Sequence, residues 1–449
     1  VDQTGRAHYF AEQSPGSYRG AFKECTHLKV EAGESVWHRL DGTRYGFSTV
    51  GQLVWIEDEK GNRLELIYDA QGRVDTVTDA ASSRALSFYY YGDGLLQRIE
   101  QAITAAVPDG IWVTYDYDDY QNLISVTYAD GSGFSYTYTD PNDIHNMTEK
   151  RNTLNHILNT WSYDEQDRAV SRFSVDGKGA NNISYVTDTQ VDVTDAYRTE
   201  RTYKLEEIDG SKRVSAMQGT GSAPYSNGNV VRWSYDDNKK VTETESAGGT
   251  INQYQGYDER GNPETVRLAV GTPEERLITY TYHPDMNVPL SRSEASVLGN
   301  GNKISIWDYD DDYNSLPNEN PTHLISRIVE KGFTKDSSGV EAHYEYVTTF
   351  TYNSKGQVLS IDGPVSGLDD TTAFNYDPTT GDLLSITQPL IGTTIFSDYD
   401  PAGRVGKITD VNEQTKRLTY DAKGRVAAVI NDADGSAIKI TYNLGGLPD

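Results

Sequence analysis

The chain has 449 residues and carries 67 Asp plus Glu against 40 Lys plus Arg, a formal charge of -27 dispersed along its length. A surface of that sign repels nucleic acid and anionic lipid, which excludes both as partners. Only 36% of the residues are hydrophobic, too few for a thick core, but 32 tyrosines interleaved with Val, Ile and Thr at strand-like spacing exclude disorder and suit a thin sheet wetted on both faces.

From the N-terminus, residues 1 to 40 read as an irregular N-terminal segment with no clean repeat. Neither an initiator Met nor a charged-then-apolar leader stands at Val1, so the expectation is an excerpt or a processed product, and its ends give no compartment. Cys25 is the only cysteine, which rules out an internal disulfide and reads as a small buried hydrophobe. The longest apolar run, Ala102 to Val107, is broken by Thr104 and falls far short of the roughly 20 residues a spanning helix requires, so no membrane insertion is expected.

Residues 41 to 449 form a repeat array. Its clearest units are Tyr68-Asp69-Ala70-Gln71-Gly72-Arg73, Tyr257-Asp258-Glu259-Arg260-Gly261, Tyr399-Asp400-Pro401-Ala402-Gly403-Arg404 and Tyr420-Asp421-Ala422-Lys423-Gly424-Arg425. Strand-end tyrosines 352, 376, 399, 420 and 442 step by 24, 23, 21 and 22 residues, and Tyr68 to Tyr91 adds a step of 23. Such a period marks a repeat architecture. Leu64, Leu66 and Tyr68 share one parity, which predicts a strand with a preferred face. Asp-x-x-Gly then fits a type I turn closed by a left-handed residue, with Gly72, Gly261, Gly403 and Gly424 where φ must be positive.

After the turn, Val74 and Val77, like Val405 and Ile408, are three apart, so the return strand is expected to carry a bulge that curves the sheet. The second turn is commonly Asp-Gly, as at Asp41-Gly42, Asp130-Gly131, Asp176-Gly177, Asp362-Gly363 and Asp434-Gly435. Each repeat is thus about one hairpin. The nearest candidate for a helix is Thr148 to Leu158, and it lacks a sustained apolar period. Residues 186 to 234 and 283 to 345 are irregular insertions that read as long loops or degenerate hairpins on the same sheet.

These units resemble the YD-repeat, or Rhs-repeat, family, with a Tyr-Asp-x-x-Gly-Arg-Leu/Val core and a Thr-Asp strand end. The resemblance spans roughly residues 41 to 449 and implies an all-β fold of tandem hairpins in one long, curved antiparallel sheet that winds into a hollow shell. It also implies a partner, an encapsulated toxin polypeptide or the remaining shell segments. Rhs effectors close their shell with Asp-Pro-x-Gly-Leu, which is linked to self-cleavage. Asp400-Pro401-Ala402-Gly403 is followed here by Arg404, so no releasing protease is assigned.

No enzyme is expected, since the chain has no Gly-x-Ser-x-Gly, P-loop or Cys-x-x-Cys, and none of its eight histidines has the i, i+4 spacing of a helical zinc motif. Acidic clusters at Asp116 to Asp119 and Asp308 to Asp312 offer oxygen ligands for Ca²⁺, but the EF-hand template fails, and turns favour Asp without any metal. No cofactor follows. The recurring Tyr would suit a glycan-stacking platform, though its fixed place in the hairpin suits a structural ladder better. Arg73, Arg404 and Arg425 read as cations beside the Asp turns and over Tyr faces. The sequence therefore indicates a structural shell segment, with a surface module for glycans or proteins as the alternative, and a parallel β-solenoid disfavoured because it needs no Asp-x-x-Gly hairpin in each unit.

Overall fold

The computed structural model describes residues 10–20, 26–31, 33–39, 41–101, 111–174, 179–208, 210–219, 230–284, 286–298, 301–309, 323–365, 369–421 and 423–442. Cys25, the stretch 102–107, the Asp176-Gly177 turn, Asp310 to Asp312 and Ala422 lie outside them. The described residues contain 37 strands and no helix, all in one sheet. Each strand pairs antiparallel with its sequence neighbours, from Phe10–Ser14 to Ala437–Lys439. The stretch around Thr148 to Leu158 is itself two strands, Glu149–Asn152 and Ile157–Tyr163, joined by a turn.

The expected bulge sits on the return strand and recurs. Tyr68 pairs with Val74 and Ile67 with Thr76, which leaves Asp75 as the extra residue. Leu359, Leu384 and Ala427 are extra in the same way. An added residue on the return strand of each of these four hairpins increases the local twist in one sense and bends the ribbon there, whereas the expected bulge at Val405 and Ile408 is absent, since Gly392–Ser397 pairs with Lys407–Thr409 without a register shift. Strands of the N-terminal segment and of both irregular insertions join this sheet, including the long hairpin Glu200–Ile208 with Ser211–Gly219.

One face carries rows such as Leu66, Val77 and Leu86, or Phe88, Ile99 and Val113. The other carries hydroxyl pairs, with Ser162 and Ser171 at 2.5 Å and Thr351 and Ser360 at 2.6 Å. Only nine apolar residues are buried among the described ones, so the sheet has no second layer over its apolar face.

The ribbon winds back onto itself. Asn62 Nδ2 donates to the Lys355 carbonyl, Arg84 pairs with Asp382, and Gln101 Nε2 donates to the Pro401 carbonyl, across sequence separations of 293, 298 and 300 residues. Further contacts at the same joint, Lys355 to Ala81 and Arg84 to Pro401, span 274 and 317 residues, so all lie about one coil apart, with the Asp-turn rim of the later coil resting on the opposite rim of the earlier one. Twenty-three strands, Arg63–Tyr68 through Glu341–Tyr352, make up one such coil. At about 4.8 Å per strand the ring is roughly 110 Å around and roughly 18 Å in radius, and side chains reaching about 5 Å inward leave its centre unfilled.

Candidate functional site

The feature that recurs is a clamp at the Tyr-Asp turn. In the unit starting at Tyr68, Asp69 N–H donates to the Arg73 carbonyl and Gly72 N–H to the Asp69 carbonyl, closing the turn. Asp69 Oδ1 accepts from the Gln71 and Arg73 amides, and Oδ2 accepts Arg73 Nε at 2.8 Å. Those bonds, the Arg73 amide foremost, hold the Asp69 carboxyl below the usual carboxylate range. Gly72, Gly261, Gly403 and Gly424 have φ of 80°, 92°, 78° and 79°, the left-handed region where a Cβ is crowded.

Arg73 then reaches across to the next unit, its guanidinium lying 4.4 Å from the Tyr90 ring centre. The Tyr90 hydroxyl donates to the carbonyl of Val74, the residue after that arginine, at 2.7 Å. Arg404 lies over Tyr420, whose hydroxyl donates to Val405, and Arg425 lies over Tyr442, whose hydroxyl donates to Val426. Tyr68 and Tyr399 donate to Leu53 and Leu383, both at 2.5 Å, and Tyr257 donates to Val241. In each case the hydroxyl ties one hairpin to the one before, and burial of the ring pushes up the pKa of Tyr68, Tyr90, Tyr257, Tyr399 and Tyr420. Asp400 and Asp421 hold Arg404 and Arg425 as Asp69 holds Arg73, whereas Asp258 holds Asn262, which stands in the arginine's place.

The N-terminal phasing needs a correction. Tyr91 is not the clamping tyrosine. It occupies the turn corner where other units have Asp, and its own hydroxyl bonds Asp116, so Tyr90 takes the clamp position. Nor is glycine obligatory at the left-handed position: Gln121, Lys239 and Glu413 occupy it at φ of 67°, 63° and 62°. Gly42, Gly131 and Gly435 of the Asp-Gly turns also have positive φ, but Gly363 is not among the positive-φ glycines.

Two features carried no motif. The coil joint uses Arg84 and Gln101, which belong to no repeat position, with Lys355 and Asp382 from the turns of looser Tyr-Asp units, Asp382 standing after the turn glycine where Arg73 stands in the clearest units and Lys355 Nζ reaching the Ala81 carbonyl. A buried seam in Glu34–His38, Arg44–Phe47 and Leu53–Glu57 packs Trp37 on Tyr45 at 5.1 Å and lays Trp55 where a Cβ on Gly46 would stand. Among the described residues no three His, Cys, Asp or Glu side chains converge as a metal set, and no helix is long and apolar enough to cross a membrane.

Residues 399–437 match the RHS Repeat family model. No curated protein matches the sequence. Among solved structures, the crystal structure of TcdB2-TccC3-Cdc42 is 14% identical, with a TM-score of 0.51, over 98% of this chain and 22% of that one. The pore of the Photorhabdus luminescens Tc holotoxin with a mutated TccC3 is 11% identical, with a TM-score of 0.49, over 95% of this chain and 26% of that one. The first likeness speaks to the fold, and the chain spans only about a quarter of the Tc chains it matches. The RHS match covers the C-terminal units, residues 399–437, and the Tyr-Asp clamp found there recurs along the sheet.

Proposed function

We propose that the chain is a wall segment of a hollow shell that encloses a toxin polypeptide, closed by further shell segments beyond this one and exported with its cargo. The observation that carries this reading is the coil: contacts between residues 274 to 317 apart in sequence stack one turn of sheet on the next around a centre too wide for the sheet's own side chains to fill. The likeness in fold to a structure described as TcdB2-TccC3-Cdc42 supports it. The positions Tyr68, Asp69, Gly72 and Arg73, with their equivalents at 257–261, 399–404 and 420–425, serve as clamps between hairpins, and a wall requires no catalytic group.

Electron microscopy of the purified chain tests the reading. End-on views should show a ring around a low-density centre roughly 25 Å across, the width left by a single layer of side chains. A filled rod would overturn it.

A further inference from the structure

The N-terminal strands meet the later coil around a cavity of about 790 Å³, large enough for a compound of nucleotide size. Its charge is the reverse of the protein's. Of its described lining side chains, eight are basic and three acidic, in a chain where acids outnumber bases 67 to 40. Arg19, His27 and Lys29 come from the first strands, His38, Arg39 and Arg44 from the next hairpin, and Arg260 and His323 from the later coil.

The three acids already have partners. Asp58 accepts from the Lys60 and Asn62 amides and from the Asn62 side chain, Glu59 pairs with Lys60, and Glu259 pairs with Arg19. On the basic side, Arg260 is committed to the carbonyls of His283 and Pro284 and Arg44 to Glu57, but Lys29 makes no ion pair among the described residues. The His27 and His38 rings stack with centres 4.8 Å apart and planes within 13°. Glu31 Oε1 lies 3.2 Å from His38 Nε2 and supplies one counter-charge, so two protonated imidazoles beside Lys29 would still leave an excess of positive charge that a further anion would neutralise.

We propose that this cavity binds a small, multiply charged oxyanion of the phosphate or pyrophosphate class, held by Lys29, Arg19 and the stacked His27 and His38. Cations converging in a partly enclosed cleft focus the field there, so the site attracts a small anion although the whole surface repels polyanions.

Protonation is coupled to such binding. Burial, His38 and Lys29 lower the pKa of His27, with Arg19 adding to the effect and Glu31 opposing it. His38 is lowered by burial and faces Glu31, Lys29 and Arg44, and His323 is lowered by burial and faces Glu59, His283, Lys60 and Asp41. An anion favours the charged rings, so acidification through the histidine range should tighten binding.

Calorimetric titration of the full chain with inorganic pyrophosphate at low ionic strength tests this. Saturable binding is expected, tighter at pH 6 than at pH 8, weakened tenfold or more by Lys29→Ala and by His27→Asn, and unchanged by Lys416→Ala on an exposed strand far from the cavity. Circular dichroism of each variant checks that the sheet is intact, and His27→Asn serves should Lys29→Ala fail that check. Absence of saturable heat, equal loss with Lys416→Ala, or displacement by chloride at matched ionic strength would overturn the proposal.

Discussion

The strands Glu34–His38, Arg44–Phe47 and Leu53–Glu57 bury Val36, Trp37, Tyr45 and Trp55 to between 3 and 7% exposure, whereas no described side chain from Tyr399 to Tyr442 is buried. The first region has a small apolar core, reinforced where Arg63 lies 4.0 Å from the Trp55 ring centre and where Arg44 and Arg63 both pair with the buried Glu57. The second has clamps instead: Asp400 and Asp421 brace Arg404 and Arg425, those cations cover Tyr420 and Tyr442, and the hydroxyls tie to carbonyls of the preceding hairpin. A sheet of one layer can therefore hold its form in two ways. A core concentrates the free energy in a few residues, while a repeat spreads it over many modest bonds.

Alkali should break the second arrangement most broadly. Burial pushes up Tyr68, Tyr163, Tyr257 and Tyr420, and raises Tyr309 to about 12. A raised folded pKa means stability that is complete below about pH 10, the ordinary tyrosine value, and lost as pH climbs through the folded values. Circular dichroism followed from pH 9 to 12.5 should show the strand signal collapse over that window, and a signal flat to 12.5 would contradict the tyrosine ladder.

Next in size is Trp55→Ala, expected to cost about 3–5 kcal/mol because it empties a packed site in the buried seam. Denaturant melts read the loss. A cost no larger than that of a single clamp substitution would dissolve the contrast between the regions.

Gly424→Ala should cost about 1–2 kcal/mol, the penalty of a Cβ in the left-handed region, since the nearest obstacle is the flexible end of Arg404, whose Nη1 lies 2.8 Å from the ideal Cβ. Gly424→Asn should cost less, and Gly424→Val more. If valine and asparagine shift the melting midpoint equally, the turn does not need its positive φ.

The smallest effect belongs to Tyr420→Phe, which keeps the ring under Arg404 and removes only the bond to the Val405 carbonyl. About 0.5–1.5 kcal/mol is expected from one hydrogen bond of this kind. A thermal melt would show whether the ladder is worth that much per rung, and a wild-type midpoint would assign the clamp to the Arg-Tyr stack alone.

The all-β fold, the Asp-x-x-Gly turn, the left-handed glycines and the return-strand bulge were all readable in the sequence, because each depends on residues within one hairpin. Gly72 and Asp69 sit three apart and set their own geometry through backbone sterics and a local carboxylate. The Arg-Tyr stacking could be anticipated from the recurrence of Arg73, Arg404 and Arg425, but the phasing at Tyr90 could not, since two adjacent tyrosines are equivalent until strand register points one of them at Val74. The joint between Arg84 and Asp382, the seam under Trp55 and the cationic cavity around Lys29 were decided by the tertiary structure alone. Their partners lie in different hairpins, for the joint and the cavity a full coil apart, and small twists summed over many hairpins, rather than any local residue pattern, determine which of them meet.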